Sequence, residues 1–164
     1  MYVNIEDMNA IQVIDTATHK VTATWPIAPG EAATGMAFDA ATHRLFIGCD
    51  NKLMLMIDST TGKVVYSVPI GAGVDSTWFD PGTKLAFTSN GEAGTVTVAR
   101  EDSSSLLKVV QTLKTRPGAR TMALDPSTHT IYLAATDYEP QPAGAKGRPK
   151  AVTGTFRVLT YQMK

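Results

Sequence analysis

An all-β fold is what this sequence predicts, and three observations carry the prediction. Short apolar stretches end in Asp, turn and restart at Met36-Ala37-Phe38-Asp39, Trp78-Phe79-Asp80 and Ala123-Leu124-Asp125, at spacings of 41 and 45 residues. A second series, Val13-Ile14-Asp15, Met56-Ile57-Asp58 and Val98-Ala99-Arg100, runs in counterpoint at spacings of 43 and 42. Helical periodicity is absent, and Val, Ile, Thr and aromatic residues fill the apolar runs. The junctions share the form D-x-x-T-[H/G]-[K/R], seen in Asp39-Ala40-Ala41-Thr42-His43-Arg44 and Asp58-Ser59-Thr60-Thr61-Gly62-Lys63. In such turns Asp and Thr side chains bond the backbone, and Gly or a tolerant residue takes the strained position. Strand-and-turn repeats of this length predict blades of a β-propeller.

With the strands of a blade lettered a to d from the axis outward, the elements follow in order. The first blade, about residues 1–30, has b near 2–5, c near 10–15 and d near 20–27, with no a. The second, about 31–71, has all four, near 35–39, 44–49, 53–58 and 63–70. The third, about 72–115, has a near 75–79, b near 84–89, c near 95–99 and d near 106–113. The last, about 116–164, has a near 120–124, b near 130–135 and c near 155–161 after a long loop, 136–154, and then no d. Residues 1–164 are therefore expected to be one partial propeller of about 3.5 four-stranded blades: two complete, flanked by two of three strands. Closed rings use about four to eight blades, so open edges are expected at both ends, and open edges promote pairing. If the chain is the mature unit, a homo-oligomer through those edges is expected.

The 15 basic and 15 acidic residues cancel, which argues against nucleic acid as a partner. No apolar run is long enough to span a bilayer, and the start lacks the pattern of an export signal; a soluble chain without membrane contact is expected. Cys49 stands alone within Leu45-Phe46-Ile47-Gly48-Cys49, which suits an inert buried strand thiol.

Tyr2-Val3-Asn4-Ile5-Glu6, Val13-Ile14-Asp15, Gly62-Lys63-Val64-Val65 and Gly118-Ala119-Arg120-Thr121-Met122-Ala123-Leu124-Asp125 resemble the YVTN-type, YncE-like β-propeller repeat family. The resemblance covers essentially the whole chain and implies a seven-bladed ring in which an N-terminal strand completes the last blade. This chain then corresponds to the C-terminal half of such a ring, a partial sequence. It also implies a periplasmic or secreted protein.

Strand direction alternates within a blade, so d–a and b–c loops share one face and the a–b and c–d turns share the other. The repeated turns, with His19, His43 and His129, fall on the second face and read as structural. The opposite face is irregular and polar, and it supplies the candidate ligand-binding residues. Its b–c loops carry Glu6, Asp50, Asn90 and Glu92; its d–a loops carry Glu31, Asp75, Arg116 and Arg120. Thr34, Asp75 and Arg120 align just before strand a, near the mouth of the central channel, where Asp75 and Arg120 either orient a polar ligand or form a salt bridge or solvated rim. The loop 136–154, with Tyr138, is either a lid or disordered.

No nucleophile elbow, Walker loop, H-E-x-x-H or C-x-x-C occurs. Neither a metal site, a cofactor nor catalytic residues are assigned. The expected function is a non-catalytic binding or scaffold module recognising a small polar ligand or a protein partner on the b–c/d–a face. The alternative is a lactonase-type hydrolase or an electron-transfer-associated subunit, which rests on fold analogy alone.

Overall fold

The computed structural model describes residues 1–141, 144, 147 and 149–162. Fourteen strands among these residues form four antiparallel sheets. Sheet 1 holds β1 (Tyr2–Ile5), β2 (Ala10–Asp15) and β3 (Lys20–Pro26). Sheet 2 holds β4 (Ala33–Asp39), β5 (Arg44–Cys49), β6 (Leu53–Asp58) and β7 (Val64–Pro69). Sheet 3 holds β8 (Val74–Asp80), β9 (Leu85–Asn90), β10 (Thr95–Ser103) and β11 (Leu106–Lys114). Sheet 4 holds β12 (Met122–Asp125), β13 (Thr130–Ala135) and β14 (Arg157–Gln162). The chain is all-β and has the arrangement of a partial β-propeller. A 3₁₀ turn, Glu6–Met8, occupies a b–c loop that the strand pattern leaves blank.

The period-2 pattern explains how the sheets stack. In the two central sheets both faces must be buried, so the middle strands read as continuous apolar runs whose alternate residues serve opposite neighbours. Leu45, Ile47 and Cys49 of β5, with Leu55 and Ile57 of β6, pack with Ile11 and Ile27 between sheets 1 and 2. The intervening Phe46, Met54 and Met56 pack with Phe79, Ala86, Ala99 and Leu107 between sheets 2 and 3. Leu85, Phe87, Val96 and Val98 turn the other way, onto Met122, Ile131 and Leu133 of sheet 4. Cys49 is fully buried and burial pushes its thiol up to about 11, consistent with an unreactive core position.

Regularity extends to the irregularities. Each c–d pair carries a register shift at the same place: Val13/Ile14, Met56/Ile57 and Val98/Ala99. The complete a–b pairs share another, at Ala33/Met36 and Val74/Thr77. Bulges increase strand twist, so the two complete blades share the same local irregularities, whereas sheet 4 carries neither shift. Sheets 1 and 4 lack an inner and an outer strand respectively, leaving one edge of β1 and one edge of β14 unpaired among the described residues.

Candidate functional site

The two faces of the arc differ in how their polar side chains are used. On the turn face the leading Asp of each motif is an acceptor for its own loop. Asp39 takes hydrogen bonds from the Ala41 N–H (3.0 Å) and the Thr42 hydroxyl (2.7 Å). Asp80 takes them from the Gly82 N–H (3.0 Å) and the Thr83 hydroxyl (2.8 Å). Asp15, Asp58 and Asp125 repeat the device. Bonds from Thr60 hold the Asp58 carboxyl well below the usual carboxylate range, with Arg44 helping, and bonds from Ser127 and Thr128 act likewise on Asp125. The fifth residue of every such turn has positive φ: His19 (56°), His43 (54°), Gly62 (74°), Lys84 (58°) and His129 (53°). That shared left-handed conformation explains why His, Lys and Gly interchange there. His129 does more than turn the chain, because its Nδ1 lies 2.7 Å from Asp80 Oδ2 and ties sheet 4 to sheet 3.

The opposite face is assembled by bracing loops. Asn9 Oδ1 accepts the Ala32 N–H (2.7 Å), while Asn51 accepts from the Glu31 N–H (3.2 Å) and donates to the Pro29 carbonyl (2.8 Å). These amides pin the d–a loop that carries Glu31. Further along, the Gly91 N–H donates to Gly73 O and the Gly118 N–H to Gly91 O, each at 2.7 Å. Loops fixed this way present Glu6, Glu31, Asp50 and Glu92 exposed and Asp75 half-buried. None of these five carboxylates has a hydrogen-bond or ion-pair partner among the described residues, in contrast to the bonded turn-face Asp residues.

Of the three residues expected just before their inner strands only Arg120 precedes one. Thr34 and Asp75 lie within β4 and β8, second from the start, because those strands begin earlier than the apolar pattern, and the three do not join one another. Thr34 donates to Val74 O (3.2 Å), the exposed Arg120 lies against Gly91, and no salt bridge forms between Asp75 and Arg120. Arg116 instead pairs with Asp137 (2.7 Å), which also holds Arg157. Asn90 differs from its expected place in an exposed loop. It is fully buried at the end of β9, and its amide donates to Thr95 and Thr97; only residues 91–94 remain for the connection. The stem of the long last loop is built as a short ladder: Tyr138 pairs with Ala151, the Glu139 N–H donates to Lys150 O (2.8 Å), and the Tyr138 ring covers Gly118. Pro142, Ala143, Ala145, Lys146 and Arg148, on which the lid-or-disorder expectation falls, lie outside the described residues.

A cavity of about 500 Å³ opens elsewhere, between sheets 3 and 4, lined by Phe87, Val98, Leu113, Ile131 and Tyr161 beside β14. No group of three or more His, Cys, Asp or Glu side chains among the described residues is placed to hold a metal. Among the described residues no helix is long and apolar enough to cross a membrane.

No family model and no curated protein matches the chain. Solved structures do. A hydrazine synthase chain of Kuenenia stuttgartiensis superposes with a TM-score of 0.73 at 13% identity, covering 96% of this chain and 45% of that one. Dihydro-heme d1 dehydrogenase NirN, in complex with DHE, gives 0.67 at 16%, covering 92% and 34%. A chain of the mitotic checkpoint complex gives 0.66 at 23%, covering 79% and 40%. The chain thus spans less than half of each of these neighbours, which are β-propeller proteins. At such identities the likeness concerns architecture, and the protein is a partial β-propeller module.

Proposed function

We propose that the chain is a non-catalytic binding module of YVTN type that recognises a small polar ligand or a protein partner through its b–c/d–a face. One observation carries this reading: the leading Asp of each turn on the turn face is consumed by its own loop, whereas Glu6, Glu31, Asp50, Asp75 and Glu92 have no partner among the described residues, and the loop carrying Glu31 is pinned by Asn9 and Asn51. Rigid scaffolds carrying varied polar loops are where binding residues concentrate. Arg120, at the same rim and without an ion-pair partner among the described residues, offers the complementary charge. Support for a periplasmic or extracellular setting comes from the family resemblance.

A thermal-shift screen with small polar ligands tests the assignment. For any hit, Asp75→Ala and Arg120→Ala should each weaken binding about 5- to 50-fold, the loss of one charge-assisted hydrogen bond. His43→Ala and His129→Ala should leave it within twofold. The reverse pattern would place the binding surface on the turn face.

The open edges favour a second, compatible reading in which a second copy of the chain covers them. Phe38 is 45% exposed beside the unpaired edge of β1, and Phe156 and Val158 are 69% and 56% exposed at sheet 4. Apolar surface and free strand edges together promote association. Sedimentation of this chain should show a dimer or higher species; a monomer at all concentrations sinks this reading and leaves the first intact.

A further inference from the structure

One ionisable side chain stands outside every role described so far. Glu101, near the end of β10, is 6% exposed and neither carboxyl oxygen has a hydrogen-bond partner. It sits two residues beyond Ala99 on the β10 face that packs against sheet 2, and its N–H donates to Lys84 O (2.9 Å). Asp39, at the end of β4 and 3% exposed, faces it, as do Thr42 from the β4–β5 turn and Lys84 from the β8–β9 turn. Arg44, at the start of β5, is engaged elsewhere: it pairs with Asp58 (3.0 Å) and donates to Ser104 O (2.7 Å). Arg100 and Asp102, on either side of Glu101, pair with each other.

The corner therefore holds two buried carboxyls and one half-exposed ammonium, that of Lys84, which pairs with Asp39. A buried excess charge is strongly disfavoured, so neutrality calls for one proton. Asp39 already accepts bonds from Ala41, Thr42 and Lys84, the last at 3.3 Å, which stabilise its ionised form. The single hydroxyl proton of Thr42 is given to Asp39 at 2.7 Å, and neither Glu101 oxygen accepts a hydrogen bond, so the proton falls to Glu101. We propose that Asp39 and Glu101 form a proton-operated clasp between sheets 2 and 3, closed while Glu101 is protonated and loosened at this corner when Glu101 ionises. Burial raises the Glu101 carboxyl above its ordinary value, with Thr42 opposing and the negative charge of Asp39 adding to the rise, while for Asp39 burial is outweighed by the bonds from Thr42, Ala41 and Lys84, which lower it; opposite displacement of two neighbouring carboxyls is how a shared proton is assigned.

The sign follows from linkage. A raised folded-state value means that the contribution of Glu101 is fully present below the ordinary glutamate value, about 4.3, and is lost as pH rises through the folded-state value. The turn-face carboxyls Asp58 and Asp125, being lowered, behave oppositely and lose their contribution as pH falls. Thermal unfolding of the wild type and Glu101→Gln from about pH 4 to about pH 8 isolates the clasp, because the other groups are common to both. The variant should gain on the wild type as pH rises, by roughly 3–5 °C for each pKa unit of displacement. A ¹³C titration of the Glu101 carboxyl in the wild type reads the same proton without requiring any variant to fold, and Asp39→Asn should bring its midpoint down. Amide exchange at Ala99 and Leu107, compared between wild type and Glu101→Gln at equal pH, should show the corner opening in the wild type alone. A Glu101 carboxyl titrating at or below about 4.3, or a stability gap that does not change with pH, overturns the proposal.

Discussion

Replacement of Phe46 by alanine is expected to lower the unfolding free energy by about 3–5 kcal/mol, the range for deleting a fully buried aromatic ring. Phe46 has no exposed surface and stacks on Phe79 across the sheet 2–sheet 3 boundary, with centroids 4.6 Å apart and rings 14° from parallel. Met54 and Met56 border the same layer, and their flexible thioethers will take up part of the void, but β-strands on both sides restrict collapse. Chemical denaturation measures the loss. Because the layer joins two sheets, the transition should remain cooperative if the arc folds as a unit; separate transitions for sheets 1–2 and sheets 3–4 would mean that each half is stable alone. Phe46→Leu, which retains most of the apolar volume, should lose less than half as much.

Gly62→Val is expected to destabilise by about 2–5 kcal/mol, combining a left-handed backbone that β-branched residues avoid with overpacking. Gly62 has φ 74° and is buried, and a Cβ there would run into the Trp25 indole of sheet 1. Trp25 cannot retreat freely, since its ring lies 5.9 Å from Tyr2 and the chain enters Pro26. The opposite exchange at the same turn position, His43→Gly, should be close to neutral: relief of the left-handed strain at φ 54° offsets the greater chain freedom of glycine in the unfolded state. Parallel denaturation of the two variants checks both. A loss for His43→Gly as large as that for Gly62→Val would overturn this account, because glycine adopts the left-handed conformation without strain.

These two positions differ in how far sequence reaches them. That residue 62 belongs to a turn needing a tolerant residue is legible in Asp58-Ser59-Thr60-Thr61-Gly62-Lys63, because the bonds from Thr60 and Thr61 to Asp58 span two or three residues. That Trp25 lies over it is not, since the contact joins different sheets. The same boundary runs through the candidate site. Glu6, Glu31, Asp50 and Glu92 are where strand alternation puts them, on one face and accessible. Asn90 is not, because the strand β9 extends one residue further than the apolar pattern and carries the amide into the core. Asn9 and Asn51 look like loop polars and prove to be braces, a role that depends on the adjoining d–a loop 20 or more residues away.

His129 and Glu101 show the limit most clearly. Both fall in or beside repeated turns, and nothing local separates His129 from His19 or His43. Its contact with Asp80 across 49 residues does. Glu101 follows Arg100 at the point where the Asp of earlier repeats is missing, a departure visible in the chain, yet its opposition to Asp39 depends on how sheet 3 rotates against sheet 2.

The sequence by itself determined the all-β class, the positions of the strands to within a few residues, and the five Asp-led turns. Side-chain alternation and turn hydrogen bonds act over two to six residues, so the local chain encodes them. Only the tertiary structure decided that Asp75 and Arg120 stay apart, that Asn90 is core, and that Asp39 and Glu101 meet in a buried corner. Those outcomes depend on the angle and offset between stacked sheets, which arise from the summed packing of three apolar layers rather than from any one segment.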